Sequence, residues 1–334
     1  MTTLNERAHE LANAMAADAE ALGITVSTLA CGTRIIDCGV KAPSCMEAGR
    51  RLAEVCLAGL GTVQLLPHGG IYNSPTSMLN VSPLYPGLDS DFIVVTTENP
   101  VAACMASQYA GWQITGEKFF AMGSGPMRAA ACREEIFKAI GRCEKPNVCV
   151  GVLETSKLPP ESVCIDLAEK CGINPSRLTL LVARTSSPAG TVQIVARSVE
   201  TALHKLHELG FDLAEVTTGC GWAPIPPIAS DDLTAIGWTN DAILYGGYVS
   251  LTVTSSDQTI TKYGPKVPSS ASPDYGQPFA EIFKRYNNDF YKIDPMLFSP
   301  ASITFLNPKV SRECDVQFGQ FAPQTLAESF GAKK

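Results

Sequence analysis

Apolar residues recur at helical spacing from the start of the chain, at Ala8, Leu11, Ala12, Met15, Ala19 and Leu22, with Gly23 as the stop. Thr3 and Glu6 form a capping box that opens this helix. Short β-rich runs follow at 25–29 and 33–37. A second capping box, Ser44 with Glu47, predicts a helix through Leu57, and 62–66 reads as a strand. The stretch 67–90, rich in Gly, Pro, Ser and Asn, predicts a long ordered loop. Apolar, β-branched runs at 92–97, 147–153 and 178–183 have the character of buried strands. Between them, 119–126 leads into a helix to about Ile140, and 160–171 predicts a helix stopped by Gly172.

The clearest helix spans 187–210, with Ser187 as its cap, Pro188 in its first turn and Gly210 at its close. After Phe211 the chain reads as irregular through Gly219-Cys220-Gly221-Trp222-Ala223-Pro224, before a strand at 248–255 and a short helix at 278–286. Helices and strands alternate loosely, which predicts an α+β (mixed α/β) chain. The expected division is an N-terminal α/β domain over 1–185, a C-terminal α/β domain over 186–310 and a tail over 311–334.

Composition narrows the class. The chain has 334 residues, 45% of them hydrophobic and 18% charged, enough for a large core. A net charge of −7 argues against a nucleic-acid partner. No run is long and apolar enough for a membrane helix, and Glu6, Arg7, Glu10, Asp18 and Glu20 interrupt any secretory segment, so the expected compartment is the cytoplasm. The 12 cysteines include no C-x-x-C pair and predict reduced thiols serving as small core residues.

On a helical wheel of the 187–210 segment, Val192, Val195, Val199, Ala202, Leu203, Leu206 and Leu209 make one apolar face. Gln193, Arg197, Glu200, His204 and His207 make a polar stripe opposite. Arg197 and Glu200, three apart, suit a general base with an electrostatic partner. The plain alternative is a solvated face, because Ser198, Thr201, Lys205 and Glu208 border the stripe. Glu200, His204 and His207 also allow a metal-dependent amidohydrolase, although H-E-x-x-H is absent. Gly123-Ser124-Gly125-Pro126 before a helix is a candidate for binding a polar ligand through backbone amides, and Ser186-Ser187 is a similar helix start.

Seven segments together resemble the methenyl-tetrahydromethanopterin cyclohydrolase family. They are E-A-G-R-R-L-A-E at 47–54, S-Q-Y-A-G-W at 107–112, F-F-A-M-G-S-G-P at 119–126 and S-S-P-A-G-T-V-Q-I-V-A-R-S-V-E-T-A-L-H-K at 186–205. T-N-D-A-I-L-Y-G-G at 239–247, P-F-A-E-I-F-K-R-Y at 278–286 and D-F-Y-K-I-D-P-M-L-F-S-P-A at 289–301 complete the set, in family order.

The resemblance implies a cytoplasmic homotrimer of one-carbon (formaldehyde oxidation) metabolism, with two α/β domains flanking a pterin-binding pocket. It implies reversible hydrolysis of the 5,10-methenyl carrier to its 5-formyl form, with no metal or redox cofactor and the pterin carrier as substrate. The A-R-x-x-E segment places the family's catalytic pair on Arg197 and Glu200. Ser124, Gly125, Ser186, Ser187, Gln193 and Tyr109 are the expected substrate-binding residues. Tyr109 stands where the archaeal pattern commonly has lysine, which resembles bacterial members and favours a carrier without a tail phosphate. The rival readings are the metal-dependent amidohydrolase and a pterin-carrier binding protein without catalysis.

Overall fold

Alternation of buried side chains along short β-branched strands builds two six-stranded sheets. The computed structural model describes residues 2–73, 78–287, 289, 292–308 and 316–331. By packing, the chain forms two units, one of Met1–Thr62 with Val101–Ile194 and one of Val63–Pro100 with Val195–Lys334. The expected single cut after residue 185 therefore differs from the observed division, which takes residues 63–100 into the second unit and crosses between Ile194 and Val195.

In the first unit the strand order is Thr25–Thr28, Arg34–Asp37, Leu178–Ala183, Cys149–Glu154, Phe119–Ser124, Trp112–Gly116. The Leu178–Ala183 strand runs parallel to both its neighbours, and the outer pairings are antiparallel. Leu181, Val150, Val152 and Ile36 join one core with Ala8, Ala12 and Met15 of the Leu4–Ala17 helix and Leu52, Val55 and Cys56 of the Met46–Cys56 helix. Leu178, Leu180, Val182, Leu153 and Ile35 join a second core with Val163, Cys164 and Leu167 of the Glu161–Lys170 helix. Both faces of the central strands are covered, which is why those strands read as continuous apolar runs.

The second unit orders Val316–Gly319, Ser302–Leu306, Tyr248–Val253, Val216–Pro224, Phe92–Thr97 and Gly61–Leu66. Its Tyr248–Val253 and Ser302–Leu306 strands are parallel, and the Val216–Pro224 strand is antiparallel to both its neighbours. The expected loop 67–90 contains an antiparallel pair, Ile71–Asn73 with Met78–Asn80, and part of it lies outside the described residues. Tyr85 anchors its far end, donating its hydroxyl to the Gly246 carbonyl (2.5 Å) and accepting from the Trp222 indole N–H (3.1 Å). The expected tail 311–334 lies outside the described residues at 311–315 and 332–334. Its described part forms the edge strand Val316–Gly319 and a helix, Pro323–Ser329, packed on Asp232–Gly246.

Several local expectations hold. Thr3 and Glu6 form their reciprocal capping box, and Gly23, Gly172 and Gly210 close helices in the left-handed conformation. Others need correction. The Ser44–Glu47 box does not form, because Ser44 is itself left-handed (φ 51°) and binds the Gly23 carbonyl through its amide. Cys45 caps instead, and Glu47 turns to Arg50 and Arg51. The segment read as irregular after Phe211 contains the central Val216–Pro224 strand and, beyond it, the 15-residue helix Asp232–Gly246, capped by Asp231. Among the described residues nine cysteines are free, six of them fully or nearly fully buried, but Cys132 and Cys143 are joined by a disulfide, their Cα atoms 5.5 Å apart. Cys132 ends the Met127–Ala131 helix in a left-handed conformation (φ 47°), and Cys143 lies within the ordinary span of such a bond. The helix expected to reach Ile140 is consequently two short pieces, Met127–Ala131 and Ile136–Ile140.

Asp241 in the Asp232–Gly246 helix is wholly buried and joins three elements, accepting from the Phe279 N–H (2.8 Å) and the Ser329 hydroxyl (2.5 Å). Burial pushes its carboxyl up to about 7. The folded state therefore favours the neutral form, and the stability this group contributes in acid is lost as pH rises from the ordinary carboxylate range through about 7. Asp241→Asn still accepts from the Phe279 N–H through its amide oxygen and can donate its amide N–H to the Ser329 hydroxyl, without the charge. Melting temperatures of the two proteins between about pH 5 and pH 8 should diverge in favour of the variant as pH rises; parallel curves would contradict the assignment.

Candidate active site

The expected continuous helix over 187–210 is two helices. Pro188–Val195 opens as predicted, the Ser187 hydroxyl accepting from the Gly190 N–H (3.0 Å) while donating to the Arg184 carbonyl (2.8 Å). The chain then leaves helical geometry, and Arg197 sits at φ −97°, ψ 10°, in the sparsely populated bridge between the helical and extended regions. A second helix, Ser198–Glu208, starts from it, with the Arg197 carbonyl accepting from the Thr201 N–H (2.8 Å). Glu200 is thereby moved from mid-helix to a first turn, where N–H groups without a partner inside the helix and the helix dipole favour a carboxylate.

Burial sets the start of the polar stripe apart from a solvated face. Arg197 is 6% exposed and Glu200 4%, while Ser198 and Lys205, which were to mark a solvated border, are 0% and 1%. The start of this helix is interior, not a solvated face. Lys205 donates its Nζ to the Met296 carbonyl, and burial lowers it to about 8 against the opposing pull of Asp294. The helix is thus tied to the turn at Asp294 and Pro295–Leu297, inside one of the seven matched segments. His204 and His207 lie farther along, only partly buried, with His204 Nε2 3.7 Å from Glu208. Among the described residues no group of three or more His, Cys, Asp or Glu side chains is placed to hold a metal ion. Glu200, His204 and His207, all on this one helix, do not form such a group.

The seat of this helix is built from glycine. The Val216–Pro224 strand runs beneath its first turn, and a Cβ on Gly219 would lie 2.8 Å from Val199 Cγ1. One on Gly221 would lie 2.7 Å from Ser198 Oγ and 2.9 Å from the Tyr248 carbonyl oxygen. Two glycines on one face of a strand mark close backbone approach here, not a loop.

The other candidates belong to the first unit. Ser124 ends the Phe119–Ser124 strand, 2% exposed, its Oγ 3.9 Å from Cys56 Sγ; the same sulfur lies 3.9 Å from Gln193 Oε1. Ser124 and Gln193 are therefore brought into one neighbourhood. Gly125 takes a positive φ (85°) and donates its N–H to the Ser107 carbonyl (2.9 Å). Ser187 spends its hydroxyl on its own helix, and Ser186 and Tyr109 are half-buried.

Sequence reasoning passed over further buried ionic groups besides Lys205, among them Asp37, Arg128 and Asp241. Asp37 ends a strand and gathers four backbone N–H groups, those of Gly39, Val40, Lys41 and Ala42, at 2.7–3.2 Å. Arg128 is fully buried. Asp241 has been described above. An aspartate directly after a β-branched run was the available signal for Asp37. The other two depend on long-range contacts that no local pattern carries.

The fold and this site together define a protein of two mixed α/β units with a buried arginine and glutamate at a helix start. The family model described as cyclohydrolase (MCH) matches residues 3–330, and the chain belongs to that family. Among its relatives, a methenyltetrahydromethanopterin cyclohydrolase of Methylobacillus flagellatus is 47% identical over 302 residues, covering 90% of this chain and 88% of the relative. One of Xanthobacter autotrophicus is 45% identical over 96% of this chain and 90% of its own length. A protein of the same name from Methanocella arvoryzae is 41% identical with both chains covered in full.

The glycine seat gives a testable consequence. Gly221→Ala forces a methyl group against a backbone carbonyl that has no freedom to withdraw. It should cost about 1–3 kcal/mol in a denaturant melt, and a loss below about 0.5 kcal/mol would show that the helix start is not seated on this strand.

Proposed function

We propose that this chain hydrolyses 5,10-methenyl-tetrahydromethanopterin reversibly to 5-formyl-tetrahydromethanopterin, with Glu200 as the acid/base and Arg197 beside it. The observation that carries the reaction is membership of the cyclohydrolase family over residues 3–330, beside relatives of that name matched along nearly their whole length. What supports the residue assignment is the buried first turn in which Glu200 stands three residues from Arg197.

The methenyl bridge is an amidinium cation, so its carbon is electrophilic without a Lewis acid. Water adds to that carbon as Glu200 takes one of its protons. The adduct then collapses: the bond from carbon to the departing nitrogen breaks, that nitrogen takes the proton back from Glu200, and the remaining hydroxyl loses its proton as the formyl carbonyl forms. One proton is released net, and the cation becomes a neutral amide. A carboxylate near the bridge also stabilises the cation before attack. The Arg197 guanidinium keeps the carboxylate ionised and oriented until the proton arrives. Ser124, Gly125, Gln193, Ser186, Ser187 and Tyr109 are the proposed hydrogen-bonding and stacking groups for the pterin. With Tyr109 in place of a lysine, a carrier without a tail phosphate is the better fit.

No metal or redox cofactor is needed for this route, and activity retained after exhaustive chelation would support that. The decisive assay follows the methenyl absorbance with the tetrahydromethanopterin carrier beside methenyl-tetrahydrofolate. Preference for folate would break the carrier assignment while keeping the reaction, and binding without turnover would favour a non-catalytic carrier protein.

Glu200→Gln preserves shape but cannot take a proton, so turnover at saturating substrate should fall by about 10²–10⁴. Arg197→Met, which keeps the unbranched stem, should lower turnover by about tenfold or more. Both residues are buried, so each rate is read beside a melting curve. A folded Glu200→Gln protein within about tenfold of wild type would end its role as proton shuttle.

We also place the enzyme in the cytoplasm as a homotrimer. Light scattering of the purified chain should give three times the 35.5 kDa protomer mass, and a monomer at micromolar concentration would reject the trimer.

A further inference from the structure

Residues Val101–Gln108 wind as a π-helix, and the Tyr109 N–H reaches back five residues to the Cys104 carbonyl (2.8 Å). π-helical turns are rare, and a run of eight residues needs support from outside its own backbone. One buried side chain supplies part of that support. Arg128 Nη1 donates to the carbonyls of Met105 (3.0 Å) and Ser107 (3.4 Å), at the end of the turn where carbonyls lack intrahelical partners. A cation there also meets the negative end of the helix dipole.

The rest of the guanidinium is fixed equally tightly. Nε and Nη2 form a fork on Glu134 at 2.9 and 2.8 Å. The plane lies 4.8 Å from the centre of the Tyr109 ring and 5.3 Å from that of Phe137. The side chain is 0% exposed. The Cys132–Cys143 disulfide closes the loop that carries Glu134 and Phe137. The Gly125 N–H binds the same Ser107 carbonyl as Arg128. Burying such a cation costs several kcal/mol in desolvation, which an apolar side chain would avoid. What an apolar residue could not do is hold the π-helical turn, the Gly125 turn and the Tyr109 ring in one register.

We infer that Arg128 is a positioning residue for carrier binding: it caps the π-helical turn Val101–Gln108 and, through that turn and its own stacking, sets the place of Tyr109 and Gly125. This rests on the reading above, in which Tyr109 and Gly125 contact the carrier. Arg128 itself need not touch substrate.

Arg128→Lys keeps the charge but loses the fork and the flat stacking face. KM for the methenyl carrier should rise about tenfold, more than kcat falls, because binding is disturbed rather than the chemical step. In a Tyr109→Ala background the same change should add little to KM, since the residue through which it acts is gone. Hydrogen exchange gives a readout free of substrate: the amides of Tyr109 and Gly125 should exchange faster in Arg128→Lys while those of the Leu178–Ala183 strand stay protected. Should Arg128→Lys fail to fold, Glu134→Gln weakens the same fork and is read identically. An unaltered KM, additive effects with Tyr109→Ala, or unchanged local exchange would each overturn the role of Arg128. A wild-type protein that turns over no methenyl carrier would instead overturn the proposed reaction and, with it, the carrier's part in this inference.

Discussion

The interruption of one helix at Ala196 and Arg197 is the constraint on which the candidate site depends. An unbroken helix through 187–210 would hold Glu200 in mid-helix, where every backbone N–H is already bonded to a carbonyl one turn back. Restarting the helix from Arg197 gives Glu200 a first turn, whose N–H groups have no partner within the helix, and a favourable dipole, inside the protein rather than on it. The second unit is arranged around that restart. Gly219 and Gly221 strip the strand below of side chains, and Lys205 ties the helix to the Asp294–Met296 turn one and a half turns further along. A buried carboxylate is expensive unless its surroundings are fixed beforehand, and these elements do the fixing.

What could be read in the sequence follows from how local each signal is. The strands at Phe92–Thr97, Cys149–Glu154 and Leu178–Ala183 were legible because doubly covered strands are apolar without interruption. The Thr3–Glu6 box was legible because both partners lie within one turn. The Val216–Pro224 strand was not, because its glycines, which ordinarily punctuate a chain, serve here to admit a helix. The Asp232–Gly246 helix escaped for another reason. It carries Gly237 and four β-branched residues, and nearly all its second half is buried, so no polar face gives it a helical period.

The site divides in the same way. Arg197 and Glu200 were visible as residue types at a useful spacing, but a helical wheel cannot tell which neighbours tertiary packing buries. It set Lys205 and Ser198 in solvent, and it lined up Glu200 with His204 and His207 as ligands. Only tertiary contacts reveal that Ser198, Val199 and Glu200 are interior. The family resemblance supplied what periodicity could not, namely which two residues of the stripe to choose.

Four buried ionic groups share a pattern that the ion-pair view of protein interiors would miss. Asp37 is met by four backbone N–H groups, Lys205 by the Met296 carbonyl, Asp241 by the Phe279 N–H and a hydroxyl, and Arg128 by two carbonyls as well as Glu134. In each case the charge is spent on backbone that regular structure leaves unpaired: a tight turn after a strand, a short 3₁₀ turn, the start of a helix, the end of a π-helix. Such backbone must be satisfied when buried, and a charged partner gives about twice the strength of a neutral hydrogen bond. A protein that binds a large, flat, hydrogen-bonding ligand needs irregular backbone, because helices and strands have already used their own donors and acceptors. Interior charges are the means by which that irregular backbone is held still, and replacing them with apolar residues of equal volume would remove the desolvation cost together with the geometry it maintains.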